Sequence, residues 1–372
     1  MQTMAGLYLH IPFCKSKCAY CNFFSVVSEK QRVDFLEALK KEAVARKDYL
    51  GGEEIKTVYF GGGTPSLLSP SEIAEILEVL QKYYKIIADP EITLEANPDT
   101  VSKESLFEYN KMGVNRLSVG IQSFFDDDLQ YLSRKHDSKH ALQVLEWAKN
   151  AGFQEVTLDL IYGIPTLTDE KWRKNLEIFF STGFNHLSAY ALTVEEKTAL
   201  GQRINKGVAA PVDDEAVIRQ YEILVEMTEN QGFEHYEISN FARPGHYSKH
   251  NTIYWKGEKY LGLGPSAHSF DGVSRQWNVA GVKDYCESYS FEREELTLDD
   301  RYNEYVMTSL RTMWGCDIGF IRSNFGTEYA ERFKKSTKKH ILSGKIYLKG
   351  EKYILNDNGM LFADGIAAEL FV

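Results

Sequence analysis

The sequence predicts an α/β protein: a partial (β/α)6 barrel followed by a small C-terminal helical, winged-helix-like domain. Three observations lead there. Short apolar strand patterns alternate with amphipathic helical ones through the first half of the chain, capping residues and glycines punctuate the helices, and polar residues recur where each strand pattern stops. Strands that alternate with helices form parallel sheets, because a parallel neighbour is reached only by a crossover, usually helical.

The strand patterns are GLYLHI from Gly6, IKTVYF from Ile55, EITLEA from Glu91, NRLSVGI from Asn115, EVTLDLIYGI from Glu155 and NHLSAYAL from Asn185. Each is short and rich in β-branched, aromatic or Leu residues. Between them lie RVDFLEALKKEAVARK, SPSEIAEILEVLQKYY, SKESLFEYNKMG, SKHALQVLEWAKNAG and DEKWRKNLEIFFSTG, with apolar residues at helical spacing. Ser69, Pro70 and Glu72 read as a capping box, and Gly113, Gly152 and Gly183 fall just past helix ends. The stretch from Glu196 to Val212, with Gly201, Gly207 and Pro211, reads as a connecting loop.

Beyond about Thr297 the character changes. DDRYNEYVMTSLRTMWG and EYAERFKKSTKKHILSG read as helices, KIYLKGEKYIL as a hairpin turning at Lys349–Gly350, and DNGMLFADGIAAELF as a closing helix. The predicted division is a barrel domain with its extension over 1–290 and a C-terminal domain over 291–372. Within the latter, Arg332, Lys334, Lys335, Lys338 and Lys339 form a basic run in a setting of nearly balanced charge, which reads as a solvated helix face. It is also a patch able to attract the carboxylates of a ligand or an anionic lipid surface.

A formal charge of −10 over 372 residues argues against broad phosphate binding, so nucleic acid is not expected as a partner. No segment has the length and apolarity of a membrane span, and the first residues lack the pattern of a secretory leader, so a cytoplasmic location is expected. Five cysteines, three of them clustered, suit a reducing compartment. Cys286 and Cys316 stand alone and read as buried structural thiols.

The chemistry gathers at one rim. The cysteine loop follows the first strand pattern, GGGTP (Gly61–Pro65) the second, Glu95 ends the third, Gln122 the fourth, and Asp159 lies in the fifth. In parallel barrels that rim carries the ligand site. Any one of these residues alone would be ordinary loop bracing; their recurrence at one topological place is the signal. Cys14, Cys18 and Cys21, spaced C-x3-C-x2-C, reach three irons of a cubane cluster and leave the fourth without a protein ligand. Structural zinc is the alternative, with His10 as the fourth ligand, but no second cysteine or histidine pair completes such a site.

With an aromatic before the last cysteine (Tyr20) and GGGTP downstream, this pattern resembles the radical S-adenosylmethionine (SAM) superfamily, in which SAM chelates the open iron of a 4Fe-4S cluster. YLHIPFCKSKCAYCNF, VYFGGGTPSLL, EANPD, RLSVGIQSF, LDLIYGIP and GLGPSAHSF together resemble the oxygen-independent coproporphyrinogen III oxidase family over nearly the whole chain. That resemblance implies that Cys14, Cys18 and Cys21 hold the cluster. It places Tyr8 beside SAM, Gly62, Gly63 and Thr64 at its amino acid part, and Glu95, Gln122, Arg134 and Asp159 among further SAM contacts. Tyr20 matches a contact to a second SAM in the oxidases. The family's chemistry is reductive cleavage of the sulfonium to a deoxyadenosyl radical.

Two departures separate this chain from the decarboxylating oxidases. Phe23 stands where they carry a fourth cysteine, and Cys14 lies too near the start for their N-terminal arm. Both put decarboxylation, and that role of Tyr20, in question. KHNTIYWKGEKYLGLGPSAHS instead carries His250, Asn251, Tyr254 and Trp255 as H-N-x-x-Y-W, similar to the heme-binding motif of the family's heme-chaperone branch. The resemblance then implies heme with His250 as its ligand, His268 as a second candidate, a heme-acceptor protein as partner, possible peripheral membrane contact and a possible heme-dependent dimer. His10, His235 and His246 read as structural. The competing expectations are a coproporphyrinogen III decarboxylase or other porphyrinoid-modifying radical enzyme, and a DNA-binding regulator with a redox cluster.

Overall fold

In the computed structural model, which describes residues 4–372, the six strand patterns form six parallel strands in sequential order. They are β1 (Met4–Ile11), β2 (Glu54–Gly62), β3 (Ile86–Ala96), β4 (Arg116–Gln122), β5 (Glu155–Tyr162) and β6 (His186–Ala191). Each neighbouring pair is in parallel register, for instance Leu9 opposite Phe60 and Leu158 opposite Leu187. The alternating burial of a half-exposed strand is absent. Leu7, Leu9, Val58, Phe60, Leu94, Leu117, Val119, Leu158 and Leu160 are all enclosed, as expected of strands covered on both faces.

The crossovers are the helices Arg32–Ala45, Pro70–Tyr83, Lys103–Lys111, Ser138–Asn150 and Asp169–Thr182. The capping box is present: the Ser69 hydroxyl accepts from the Glu72 amide at 3.3 Å, and Glu72 accepts from the Ser69 amide at 2.7 Å. The region 196–212 departs from the expected plain loop, since Ala199–Asn205 is helical. Thr198 caps it, Leu200 is buried, and the Leu200 amide donates to the Ala19 carbonyl at 2.8 Å, so this turn braces the cysteine loop. Gly201 is there for close packing: a Cβ would stand 2.4 Å from the Glu195 carbonyl oxygen.

Two extensions widen the sheet to twelve strands. Antiparallel β7 (Glu234–Glu237) and β8 (Asn240–Ala242) add beyond β6. On the other side β9 (Tyr260–Leu263) pairs parallel with β1, followed by antiparallel β10 (His268–Phe270), β11 (Ser274–Asn278) and β12 (Phe291–Glu295). The edge strand β12 is FEREE, exposed at every position, and its charges guard the edge against pairing with another chain.

The remainder is the helix Leu298–Leu310, β13 (Cys316–Asp317), the helices Ile318–Asn324 and Thr327–Leu342, the hairpin β14 (Ile346–Lys349) and β15 (Lys352–Leu355), and the helices Asp357–Met360 and Ala363–Leu370. The closing segment is thus two helices, not one. Lys349 pairs with Lys352, so the hairpin turns at Gly350–Glu351, one residue later than expected, with Gly350 taking the positive φ of 63°. Cys316 is buried beneath the Val306 carbonyl, whereas Cys286 is only half-buried, contrary to the expectation that both thiols are enclosed. Among the described residues no helix is long and apolar enough to cross a membrane.

Candidate functional site

A pocket of about 460 Å³ opens at the carboxyl ends of the parallel strands. Its wall brings together Cys14, Cys18, Tyr20, Cys21, Gly62, Gly63, Thr64, Glu95, Gln122, Arg134 and Asp159. Residues up to 145 positions apart in sequence, Cys14 to Asp159, meet there because every parallel strand ends on the same rim.

The cysteine loop is tied down by backbone. The Cys14 amide donates to the Val26 carbonyl at 2.9 Å, Val26 returns a bond to Pro12 at 2.8 Å, and the Ala19 amide reaches the Leu132 carbonyl at 3.2 Å. His10 fastens the trailing end: its Nε2 donates to the Phe24 carbonyl at 2.9 Å, which leaves Nδ1 to accept from the Tyr8 hydroxyl at 3.2 Å. Burial lowers the His10 pKa and keeps the ring neutral. With both nitrogens engaged, His10 is an anchor of the loop and not a fourth metal ligand. Among the described residues no three His, Cys, Asp or Glu side chains gather as they would around a single ion.

The sulfurs receive hydrogen bonds. Thr64 Oγ1 approaches Cys14 Sγ at 3.5 Å and Arg134 Nη1 approaches Cys18 Sγ at 3.3 Å. Asn97, which no motif argument had singled out, ties these donors together, giving Nδ2 to Thr64 Oγ1 at 3.0 Å and accepting from Arg134 Nη2 at 2.6 Å. Arg134 also donates to the Gly120 carbonyl at 2.7 Å, and a Cβ on Gly120 would lie 3.2 Å from that guanidinium. Burial raises the Cys21 thiol pKa, and the neighbouring Cys18 and Cys14 add to the rise. A metal's positive charge would reverse that preference for the protonated form.

The glycine turn works differently from a simple nest of amides. The Gly62 amide donates to Glu95 Oε2 at 3.1 Å, Gly63 to the Ile11 carbonyl at 2.8 Å and Thr64 to the Phe13 carbonyl at 2.7 Å. All three N–H groups are engaged within the protein. Gly63 must lack a side chain because a Cβ would stand 2.7 Å from the Phe13 carbonyl oxygen. What the turn offers a ligand is bare backbone surface at close range.

Two half-buried carboxylates face the pocket. Tyr59 donates to Glu95 Oε1 at 2.8 Å, and Ser118 donates to both oxygens of Asp159 at 3.1 and 3.3 Å. Burial pushes Glu95 up to about 7 and Asp159 up to about 6. Such groups welcome a cation, which repays their desolvation. The folded state therefore holds a proton on Glu95 that the unfolded chain releases near its ordinary value of 4.5. The stability this contributes is full below about 4.5 and is lost as pH rises through about 7. The difference in unfolding free energy between wild type and Glu95→Gln is expected to shift against wild type by about 2–3 kcal/mol from pH 5 to 8. Denaturant titrations of the ligand-free protein check this; a difference independent of pH would remove Glu95 as a buried titrating group.

Tyr8 and His250 lie apart from this pocket wall. Tyr8 packs beneath it against Tyr59, at 6.0 Å between ring centroids, and His250 stacks against both rings, 4.8 Å from Tyr59 and 6.3 Å from Tyr8. His250 is 1% exposed, with Nδ1 bonded to the Thr57 hydroxyl at 2.7 Å and Nε2 to the Tyr254 hydroxyl at 2.9 Å. In this conformation neither nitrogen is open to iron. Burial lowers the His250 pKa to about 3, so the ring is neutral. His268, by contrast, is exposed beside Trp277. His235 stacks on Phe241 and His246 bonds Glu155 at 2.7 Å, both in structural settings. In the basic run, Lys334 and Lys339 pair with Glu331 and Glu369, while Lys335 and Lys338 flank the 87% exposed Leu342.

Residues 8–179 match the sequence profile of the Radical SAM superfamily. The chain is 33% identical over 371 residues to the heme chaperone HemW of Bacillus subtilis (strain 168), with 98% of each chain covered. It is 33% identical to the heme chaperone HemW of Mycobacterium tuberculosis (strain CDC 1551 / Oshkosh), covering 98% of this chain and 94% of that one. A mitochondrial radical S-adenosyl methionine domain-containing protein 1 of Danio rerio is 38% identical over 71% of this chain and 60% of its own. Among solved structures, coproporphyrinogen III oxidase (HemN) from Escherichia coli superposes with a TM-score of 0.86 at 23% identity, covering 100% of this chain and 91% of that one. At that identity the likeness is one of fold.

Proposed function

We propose that this chain, which belongs to the heme chaperone HemW family within the radical SAM superfamily, carries heme and hands it to acceptor proteins. The observation that carries this reading is similarity across 98% of both chains to relatives named heme chaperones. The superfamily membership brings with it a 4Fe-4S cluster and SAM.

The residues fit those groups. Cys14, Cys18 and Cys21 would hold the cluster from one wall, and donors from Thr64 and Arg134 suit electron-rich cluster sulfur. Glu95 and Asp159 would face the cationic parts of SAM, with Gln122 and the Gly62–Thr64 turn alongside. Gln122 stands at a positive φ of 68°, a strained setting for a non-glycine residue that turns the chain sharply at the rim. Cluster and SAM together supply one-electron chemistry at the sulfonium; the protein's own part is to seat both and limit access of water. Tyr8 would act from below, through His10 and the loop that His10 fastens. Delivery is to a heme-accepting protein, and the Lys335, Lys338 and Leu342 face is the surface for any contact with an anionic membrane.

The deciding experiment uses anaerobically reconstituted protein in two arms. Hemin added to one is expected to shift the Soret band and remain with the protein through desalting. Coproporphyrinogen III, SAM and reductant added to the other are expected to yield no protoporphyrinogen. Multiple-turnover protoporphyrinogen formation would overturn the carrier reading in favour of the decarboxylase.

A further inference from the structure

Parallel barrels ordinarily fill their interior with branched apolar side chains. This one does not. From β3 to β6 the inner wall carries Thr93, Arg116, Ser118, Thr157 and Ser188, and a cavity of about 70 Å³ lies among them. It shares Glu95, Ser118 and Asp159 with the pocket above. It shares Arg116 with a groove of about 320 Å³ at the amino ends of the strands, where Glu91, Asn115 and Glu155 stand. Pocket, lumen and groove thus follow one another from one end of the barrel to the other.

The lumen is built for water. Thr93 is 1% exposed, and its hydroxyl has no hydrogen-bond partner among the described residues. His186, two residues before Ser188 and so on the same face of β6, has an equally unpartnered Nδ1. Buried polar atoms without partners are uncommon and call for ordered water. The volume has room for about four molecules. In hydrogen-bond contact, that many span roughly 13 Å, the length of strand from Glu95 down to Glu91.

Acid–base groups stand at both ends. Above are Asp159 and Glu95, whose carboxyl burial pushes up to about 7. A cation seated on them drives their protons off and at the same time covers the way out through the pocket. Below, Arg116 lies 3.7 Å from Glu91 and 3.3 Å from Glu155, and His246 bonds Glu155 at 2.7 Å. A lone arginine would bar a proton, but one flanked by two carboxylates leaves the lower mouth without excess positive charge.

We infer that the barrel lumen holds a file of ordered water through which Glu95 and Asp159 exchange protons with solvent at the opposite face while SAM covers them. The carboxyl O–H bond breaks, the nearest water takes the proton, each water passes one on, and one proton enters solvent beside Arg116 and Glu155; no electron moves. Thr93 is a positioning residue for that water. The inference rests on the seating of SAM over these carboxylates and goes beyond it.

The test has two readouts on the cluster-loaded full chain. The first is the unfolding midpoint of Thr93→Val, which exchanges a hydroxyl for a methyl of similar size. In a dry lumen the loss of an unpaired hydroxyl would raise the midpoint; with water bound to Thr93 the midpoint is expected to fall. An unchanged or higher midpoint would overturn the water file. The second readout is proton release on mixing with SAM in weak buffer at about pH 6.5, followed with a dye, while the cluster absorbance follows SAM binding. Release is expected to keep pace with binding in wild type. Thr93→Leu, which fills the lumen, is expected to bind SAM within about threefold of wild type and to release protons about tenfold more slowly. Iron content and secondary structure report whether that variant is folded, and Thr93→Val takes its place if it is not. Release in step with binding in the folded variant would overturn the path while leaving the SAM seat intact. Wild type that binds SAM and releases no proton would overturn the path as well, and wild type that binds no SAM would overturn both.

Discussion

Alanine at Cys14, Cys18 or Cys21 is expected to bring the iron and acid-labile sulfide of the anaerobically reconstituted protein down to background while barely moving its unfolding midpoint. The two halves of that expectation have separate causes. Three closely spaced thiolates are the whole protein ligand set for a cubane whose fourth corner goes to SAM, so losing one leaves two anchors and opens the site to solvent. The fold, however, does not lean on those side chains. All three are half-exposed, and the loop keeps its shape through the Cys14–Val26 and Val26–Pro12 backbone bonds, the His10–Phe24 anchor and the brace from Leu200. Cys286→Ala is the matched control, since that half-buried thiol lies on the helix Val282–Glu287, away from the pocket wall. Iron retained at the wild-type level in any one of the three variants would remove that cysteine from the ligand set; iron lost only together with cooperative unfolding would recast the loop as structural.

How far the sequence reveals this site follows from which signals are local. The βα rhythm is local, and so is the end of each strand, which is why Glu95, Gln122 and Asp159 could be placed on one rim before any contact was known. Asn97 was within reach on the same reasoning, sitting two residues past Glu95 in EANPD, but its job is to join Thr64 to Arg134, and only the fold brings those together. The partners that bury His250 were out of reach. Its neighbours Thr57, Tyr59 and Tyr8 come from β1 and β2, roughly two hundred positions earlier, and no pattern around H-N-x-x-Y-W encodes them. The same holds for Gly201, whose residue type reads as a breaker in isolation and proves to be a close-packing position inside a short helix. The strands β9 to β12 are short and carry weak alternation; they are strands because β1 offers a free edge on that side.

That edge is secured by charge. Glu42 and Arg46, one turn apart on the helix Arg32–Ala45 and its C-terminal cap, are enclosed, and both are saturated by partners from the extension. Glu42 accepts from the Tyr285 hydroxyl at 2.7 Å, Asn278 Nδ2 at 2.8 Å, the Gly264 amide at 2.9 Å and Arg46 at 3.2 Å. Arg46 donates to Gln276 at 2.9 Å and to Ser269 and the Gly262 carbonyl at 3.2 Å. A satisfied buried pair adds little over a well-packed apolar one, but removing a single partner leaves an uncompensated charge and costs about 3–5 kcal/mol. Arg46→Met alone is therefore expected to lower the denaturant midpoint severely, and Glu42→Leu with Arg46→Met to recover part of the loss. The consequence reaches the cluster loop, because a Cβ on Gly264 would lie 2.5 Å from the carbonyl of His10, the residue that fastens Phe24. Loosening this network frees the end of β9 beside the end of β1, so the Arg46→Met protein is expected to lose iron at denaturant concentrations below its global unfolding transition. Coincident loss of iron and of secondary structure would show instead that extension and barrel unfold as one unit.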